Sequence, residues 1–412
     1  MRAVVKIVLF LVIMLGAAWV ALWWYAQGRM QAGMTNWISQ TSAQGSVQVS
    51  YDSITRGTSP LAAVVTLVNP KMTVTTVPGQ QPVVVALASF AWRIDAADPM
   101  VMHIDLPSQV NVNTDKGNAA ITFDNAAVSE QLDPQAVFNP DIYPFRGADA
   151  SAANINLLAS DGSLLVLHVD NFTAHGTLSQ AGGNGLTTLS STYTLDGLAL
   201  SPLLTKIASV PFDGRITHLG LTVSVVGPPP QYWQDLIKQF NAVPPSDEAA
   251  QQKVLVQGMH QWATQNGSAS TNLNLIVGPS TLNADAAVAF DANVQPNGTA
   301  DVTANHLDAF SSALTSAYPQ LQNDVNEAQA MLSPYLSSDT ADGQNLAIHL
   351  VYGSGTVNVN GQKVSDLPPV DWDTLENPPP PAQVAPGDGS GAAVTPPAPA
   401  AAPAPAMPGT SK

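Results

Sequence analysis

Nineteen consecutive residues without a formal charge, Ile7 to Tyr25 (IVLFLVIMLGAAWVALWWY), constrain this chain more than any other feature of it. Wound as a helix, the run spans about 28 Å, close to the hydrocarbon thickness of a bilayer. Arg2 and Lys6 precede it, and Trp19, Trp23, Trp24 and Tyr25 crowd its far end, where amphipathic rings prefer the headgroup region. The flanking charges put the amino terminus inside and the bulk of the chain outside; Arg29 opposes them singly. A cleaved signal peptide is the competing reading, with small-x-small sites at Gly16-Ala17-Ala18 and Ala26-Gln27-Gly28. The first lies inside the apolar run and the second follows the aromatic cluster, which favours an uncleaved transmembrane signal anchor over residues 1–28.

The exported part is acidic. The 412 residues hold 14 Lys plus Arg against 30 Asp plus Glu, for a formal net charge of -16. Three of the basic residues, Arg2, Lys6 and Arg29, flank the apolar run, so 11 remain beyond it against all 30 acids. A chain so poor in clustered Lys and Arg does not have nucleic acid as its main partner. It contains no cysteine, which excludes disulfides, thiol nucleophiles, iron–sulfur clusters, Cys-ligated zinc and lipoprotein anchoring.

Beyond the anchor, Met30, Met34, Trp37 and Ile38 recur at helical spacing and predict a short juxtamembrane helix over residues 29–42. Then the period changes to two. Val47, Val49 and Tyr51 alternate with polar residues, Gly57 and Pro60 punctuate, and short β-type runs separated by Gly, Asn, Asp or Pro continue to about residue 200. Such spacing predicts hairpin-connected antiparallel strands and not a βαβ fold. Four stretches in the second half have helical composition: Ser201 to Val210, Gln231 to Phe240, Asp247 to Gly267 with Ser246 as N-cap, and His306 to Leu336 broken at Pro319. Loosely recurring hairpin phrases raise two similar halves for the exported domain, although any Gly/Asn/Thr-rich β protein generates such matches. From Asn377 onward 11 of the 33 prolines fall in 36 residues, which predicts a disordered tail. The expected organisation is therefore an anchor at 1–28, an exported β-rich domain at 29–376 and a tail at 377–412. The fold class is α+β and β-dominated, with large twisted antiparallel sheet and flanking helices.

Motifs for chemistry are missing. No GxSxG elbow, HExxH helix, Walker loop, GxGxxG or EF-hand pattern occurs. The aspartates stand mainly in turn contexts such as LDG, SDG and FDG, where they satisfy backbone donors. His168 and His175 are seven apart, an odd separation that alternation puts on opposite faces unless a turn intervenes at Asp170-Asn171. Trp233 and Trp262 on helices, and Trp92 on a strand, read as packing residues. No catalytic, cofactor-binding or metal-ligating residue is assigned, and no cofactor is expected.

Trp37, Gly45, Val49-Ser50-Tyr51, Ile54, Gly57 and Pro60, with Leu282-Asn283-Ala284-Asp285, Val294 to Gly298, Gly355 to Gly361 and Leu367-Pro368-Pro369, resemble a bacterial envelope family, domain of unknown function 2125. That family's turn carries one aromatic between Gly and Pro, where this chain has Thr58-Ser59. A more distant likeness is to AsmA-like envelope proteins. It implies a single inner-membrane anchor, a periplasmic sheet and an apolar groove for acyl chains or a role in envelope maintenance. The resulting expectation is a non-enzymatic, single-pass inner-membrane protein with a lipid or an envelope protein as partner. A structural or protein-interaction module is the alternative, and a lipid or glycan hydrolase the third.

Overall fold

The computed structural model describes residues 2–43, 47–75, 81–115, 117–134, 145–159, 162–180, 186–244, 247–339 and 343–377. Helix α1 (Arg2–Ala43) runs unbroken for 42 residues, about 63 Å at the usual rise. The apolar run and the juxtamembrane segment are thus one helix. Most of the side chains before Trp19 lie outside the described residues, and with them most of the expected anchor; among the described residues no helix is long and apolar enough to cross a membrane. The expected tail lies outside the described residues from 378 onward.

Everything after α1 is organised by one antiparallel sheet. It opens with four strands that each break once: β1 (Val47–Ser50) with β2 (Ser53–Arg56), β3 (Ala62–Val68) with β4 (Lys71–Val74), β5 (Val83–Leu87) with β6 (Ser89–Asp95), and β7 (Asp98–Asp105) with β8 (Gln109–Thr114). Long strands follow: β9 (Gly117–Leu132), β10 (Phe145–Ala159), β11 (Leu164–Gln180), β12 (Thr187–Leu200) and β13 (Arg215–Gly227). The series closes with β14 (Ser268–Val277), β15 (Ser280–Phe290), β16 (Pro296–Asn305), β17 (Leu336–Asp339), β18 (Gly343–Gly353), β19 (Thr356–Val359) and β20 (Gln362–Asp366). Each broken strand pairs with the next, both β7 and β8 pair with one edge of β9, and β9 to β16 then pair in sequence order. β18 lies against β16, with β17 and β19 sharing its other edge and β20 beyond β19. The topology is an up-and-down meander, as local turn signals dictate.

The breaks align into a seam across the first half of the sheet. Asn69, Asn125, Asn154 and Gly197 take left-handed φ values of 49, 51, 48 and 66° along it. One left-handed residue shifts the pleat by one position, and asparagine and glycine tolerate that conformation best. Asn69 Nδ2 donates to Asp52 at 2.7 Å and Asn154 Nδ2 to Asp124 at 3.0 Å, while a Cβ on Gly197 would meet Asp170 Oδ2 at 1.8 Å. The shift keeps apolar side chains on one face. Val83, Val85 and Leu87 precede the seam in β5, and Phe90, Trp92 and Ile94 follow it in β6 on the same side.

That apolar face is covered first by α1. Met30, Met34 and Ile38 pack with Ala63, Val65 and Leu67 into a buried cluster flanked by Val49, Ile54, Phe90 and Trp92. Upstream, one side of the helix is fastened to backbone. Trp19 Nε1 donates to Pro60 O at 2.8 Å, Trp23 Nε1 to Ala62 O at 3.0 Å, and buried Gln27 Nε2 to Gly57 O at 2.9 Å. These positions recur every four residues, so they share a helix face.

Six shorter helices complete the chain's described part: α2 (Pro202–Ala208), α3 (Pro230–Ala242), α4 (Glu248–Thr264), α5 (Leu307–Ala317), α6 (Gln322–Leu332) and α7 (Trp372–Glu376). The helical stretches read from composition correspond to α2 through α6, with the break at Pro319 in place. The cap of α4 is corrected. Asp247 is the N-cap, accepting from Ala250 N at 3.0 Å, whereas Ser246 lies outside the described residues.

Candidate ligand groove

Cross-strand partners share a sheet face, so the register identifies one continuous apolar surface beyond α1. Met102 and Ile104 of β7 stand opposite Glu130 and Val128 of β9, and these opposite Ala148 and Ala150 of β10. The row continues through Gly176 and Ala174 of β11 to Ser191 and Tyr193 of β12, then Val223 and Leu221 of β13. Small residues at its centre let larger ones stand up as walls.

A cavity of about 700 Å³ lies on this surface over β9 to β13. Ala148, Ala150, Ala174 and Gly176 form its floor, Phe145, Leu178, Leu189 and Tyr193 rise around them, and Trp233 and Ile237 of α3 close one side. Leu189 and Tyr193 are 50% and 44% exposed in the middle of a sheet. Side chains of that size are normally covered at such positions, so the groove is apolar surface that the chain's described residues do not fill. Its volume falls within the roughly 300–1,000 Å³ of small-molecule sites.

The wall is held by tryptophan and glycine. Trp262 Nε1 of α4 donates to Val226 O at 2.8 Å, and its ring packs edge-on against Trp233 and Phe290. A Cβ on Gly227 or Gly267 would come within 2.7 Å and 2.2 Å of that indole. Tyr232 Oη donates to Gly258 O at 2.9 Å, tying α3 to α4, and burial raises the Tyr232 phenol above its ordinary range. Outside α4, Trp372 of α7 stacks on His260 with centroids 4.9 Å apart, and His260 Nδ1 meets Glu376 at 2.6 Å.

Two carboxyls line the cavity among the described residues: Asp149, which is paired with His175 at 2.5 Å, and Glu130, which is in register with the apolar row. Glu130 has no hydrogen-bond or ion-pair partner among the described residues, and burial raises its pKa above the ordinary carboxylate value. Among the described residues no Lys or Arg lines the cavity. The sequence does contain a signal for it: Ala126, Val128, Glu130 and Leu132 alternate, which puts a charged residue in phase with apolar ones.

The opposite face is polar, and the strand histidines belong to it. His175 Nδ1 meets Asp149 at 2.5 Å, His218 meets Asp196 at 2.6 Å and His349 meets Asp301 at 2.6 Å, each across adjacent strands. His168 bonds Asn156 at 2.8 Å and Asp170 at 3.0 Å. The expected separation of His168 and His175 onto opposite faces is corrected: the seam passes at Asp170-Asn171, so both lie on the polar face, engaged with different partners. Among the described residues no three His, Asp or Glu side chains group as a metal site. A shallower hollow of about 500 Å³ on this face is lined by Ser224, Ser270, Ala287 and Thr299.

The profile of a family described as an uncharacterized protein conserved in bacteria (DUF2125) matches residues 23–368, from the middle of α1 to just beyond β20. No curated protein matches the chain.

Proposed function

The chain belongs to the DUF2125 family of uncharacterized bacterial proteins, and from that premise we propose a non-enzymatic protein tethered to the inner membrane that holds an apolar ligand chain in the groove over β9 to β13. The observation that carries the ligand is the 700 Å³ apolar cavity with Leu189 and Tyr193 half exposed in it. Burying such side chains against a hydrocarbon chain is favourable at about 25 cal/mol per Å². The tether rests on the 19 uncharged residues from Ile7 to Tyr25, with Arg2 and Lys6 before them and tryptophans after. This orientation puts the groove in the periplasm. Among the described side chains of α1, Trp19 bonds the sheet at Pro60 O.

Gly176 offers a direct test. It lies in the groove floor, and a Cβ there meets nothing closer than 3.8 Å, so Gly176→Trp directs an indole into the cavity. Lipid extracted from the full chain purified in a nonionic amphipol is quantified by mass spectrometry. A defined species is expected in the wild type and its loss in Gly176→Trp; equal lipid in both, or none above a blank, refutes the reading. Removal of residues 2–18 is expected to move the chain from the membrane to the soluble fraction, and persistent sedimentation with membranes refutes the tether.

A further inference from the structure

An apolar groove with no charged lining accepts any hydrocarbon chain, but among its described residues this groove has one carboxyl without a partner, since the other, Asp149, is paired with His175. Glu130 stands between Met102 of β7 and Ala148 of β10, with Val128 and Leu132 on either side along β9. The charged groups of the neighbouring strands are occupied elsewhere. Arg146 Nε bonds Asp133 at 2.8 Å, Arg93 Nε bonds Asp105 at 3.1 Å, His103 lies 3.8 Å from Asp95, and Asp149 meets His175 on the polar face. The hydroxyls among the lining residues, of Thr177, Thr187, Ser191 and Tyr193, are neutral. Glu130 therefore keeps a partly desolvated carboxylate with no cation among the described residues to offset it.

We infer that the groove selects an amphiphile whose head carries a protonated amine, the hydrocarbon chain lying over the alanine and glycine floor and the ammonium held by the Glu130 carboxylate. This rests on the groove reading above and narrows it. Charge complementarity decides the class. A fatty acid or phosphate monoester would set its anion against Glu130 with no Lys or Arg among the described lining residues to compensate. An alcohol would place a neutral donor there. An ammonium donor gives a charge-assisted bond, about twice as strong as a neutral one, in a setting that water screens poorly. Asp149, the other carboxylate of the described lining, is already paired with His175 at 2.5 Å, so Glu130 is the lining carboxylate left to meet the ammonium.

Three probes of equal chain length separate these possibilities: decylamine, decanol and decanoate, measured by equilibrium dialysis against the full chain in a nonionic amphipol at pH 7 and 0.3 M salt. Decylamine is expected to bind roughly tenfold or more tighter than decanol, with decanoate weakest. Glu130→Gln keeps the shape of the side chain and is expected to bring decylamine down to the decanol value while leaving decanol unchanged, which also reports that the variant is folded. Decylamine binding no tighter than decanol in the wild type overturns the head-group inference and leaves the groove standing. A preference that survives in Glu130→Gln also overturns it, since the acidic surface would then be its source. Binding of none of the three defeats the groove reading itself. The wild-type comparison needs no variant, so a Glu130→Gln protein that fails to fold does not shelter the inference.

Discussion

Met34 is the point at which the helix and the sheet depend on each other most. It is 0% exposed, and the strand side of its pocket is Val65 at 0% and Leu67 at 1%. Met34→Ala removes the thioether and terminal methyl from a site that collapses poorly, because β3 is held on both edges, by β2 and β6. Methionine-to-alanine changes in cores cost roughly 2–5 kcal/mol, and a site bounded by a paired β-strand belongs in the upper half, about 3–4 kcal/mol. A chain of this size need not unfold in one step, so the loss is best read locally. Hydrogen exchange of the β3 amides reports the opening of α1 from the sheet, and about 3–4 kcal/mol corresponds to roughly 100- to 700-fold faster exchange there. Met331→Ala on α6, where the side chain is 67% exposed, is the control and is expected to stay within about 0.5 kcal/mol. A change below threefold in β3 for Met34→Ala would show that the cluster does not fasten the helix.

Two further substitutions test the groove wall and its charge. Gly267→Ala sets a Cβ 2.2 Å from Trp262 Nε1, and that indole is fixed by Val226 O, so a loss of about 1–3 kcal/mol and an altered near-ultraviolet circular dichroism are expected; an unchanged melting temperature would mean the wall is pliable. Burial raises the folded-state pKa of Glu130 above the ordinary carboxylate value, so the folded state keeps its proton where the unfolded state has released it, and stability falls as pH rises through that window. Glu130→Gln is accordingly expected to melt above the wild type at pH 7 and with it at pH 4, and equal melting at both would refute the burial of this carboxyl.

Much of this architecture is legible in the residues, and the exceptions have physical causes. Period-two alternation and frequent turn residues announce an antiparallel meander, and the helices α2 to α6 follow from composition because their amphipathic patterns are local. Val47 and Val49 are out of phase with Ile54, yet both sets face α1; only the break between β1 and β2 reconciles them. The same shift carries His168 and His175 to one face, which simple alternation forbids. Pleat shifts are set by single left-handed residues, and an asparagine in a strand-like run does not distinguish a shift from an ordinary turn. The length of α1 is obscured for a different reason: its lipid-like and sheet-facing halves have different compositions, so the sequence looks like two elements although no proline separates them and Gly28 does not break the helix. Gly57 is explained only in three dimensions, where a Cβ would stand 2.9 Å from that of Val64 beneath Gln27. Glu130, by contrast, could be found from its phase alone once the seam is located.

The continuity of α1 also makes it a gearing between whatever holds its first half and the sheet clasped by its second. Each residue inserted ahead of Trp19 would rotate the sheet by about 100° and raise it by about 1.5 Å, whereas seven residues would return it to within about 20° of its heading and some 10 Å higher. Heading and height are therefore separately adjustable. A flexible linker at the same place would have fixed neither, and the contacts of Trp19, Trp23 and Gln27 with the backbone of Pro60, Ala62 and Gly57 set the heading of the groove to a single value.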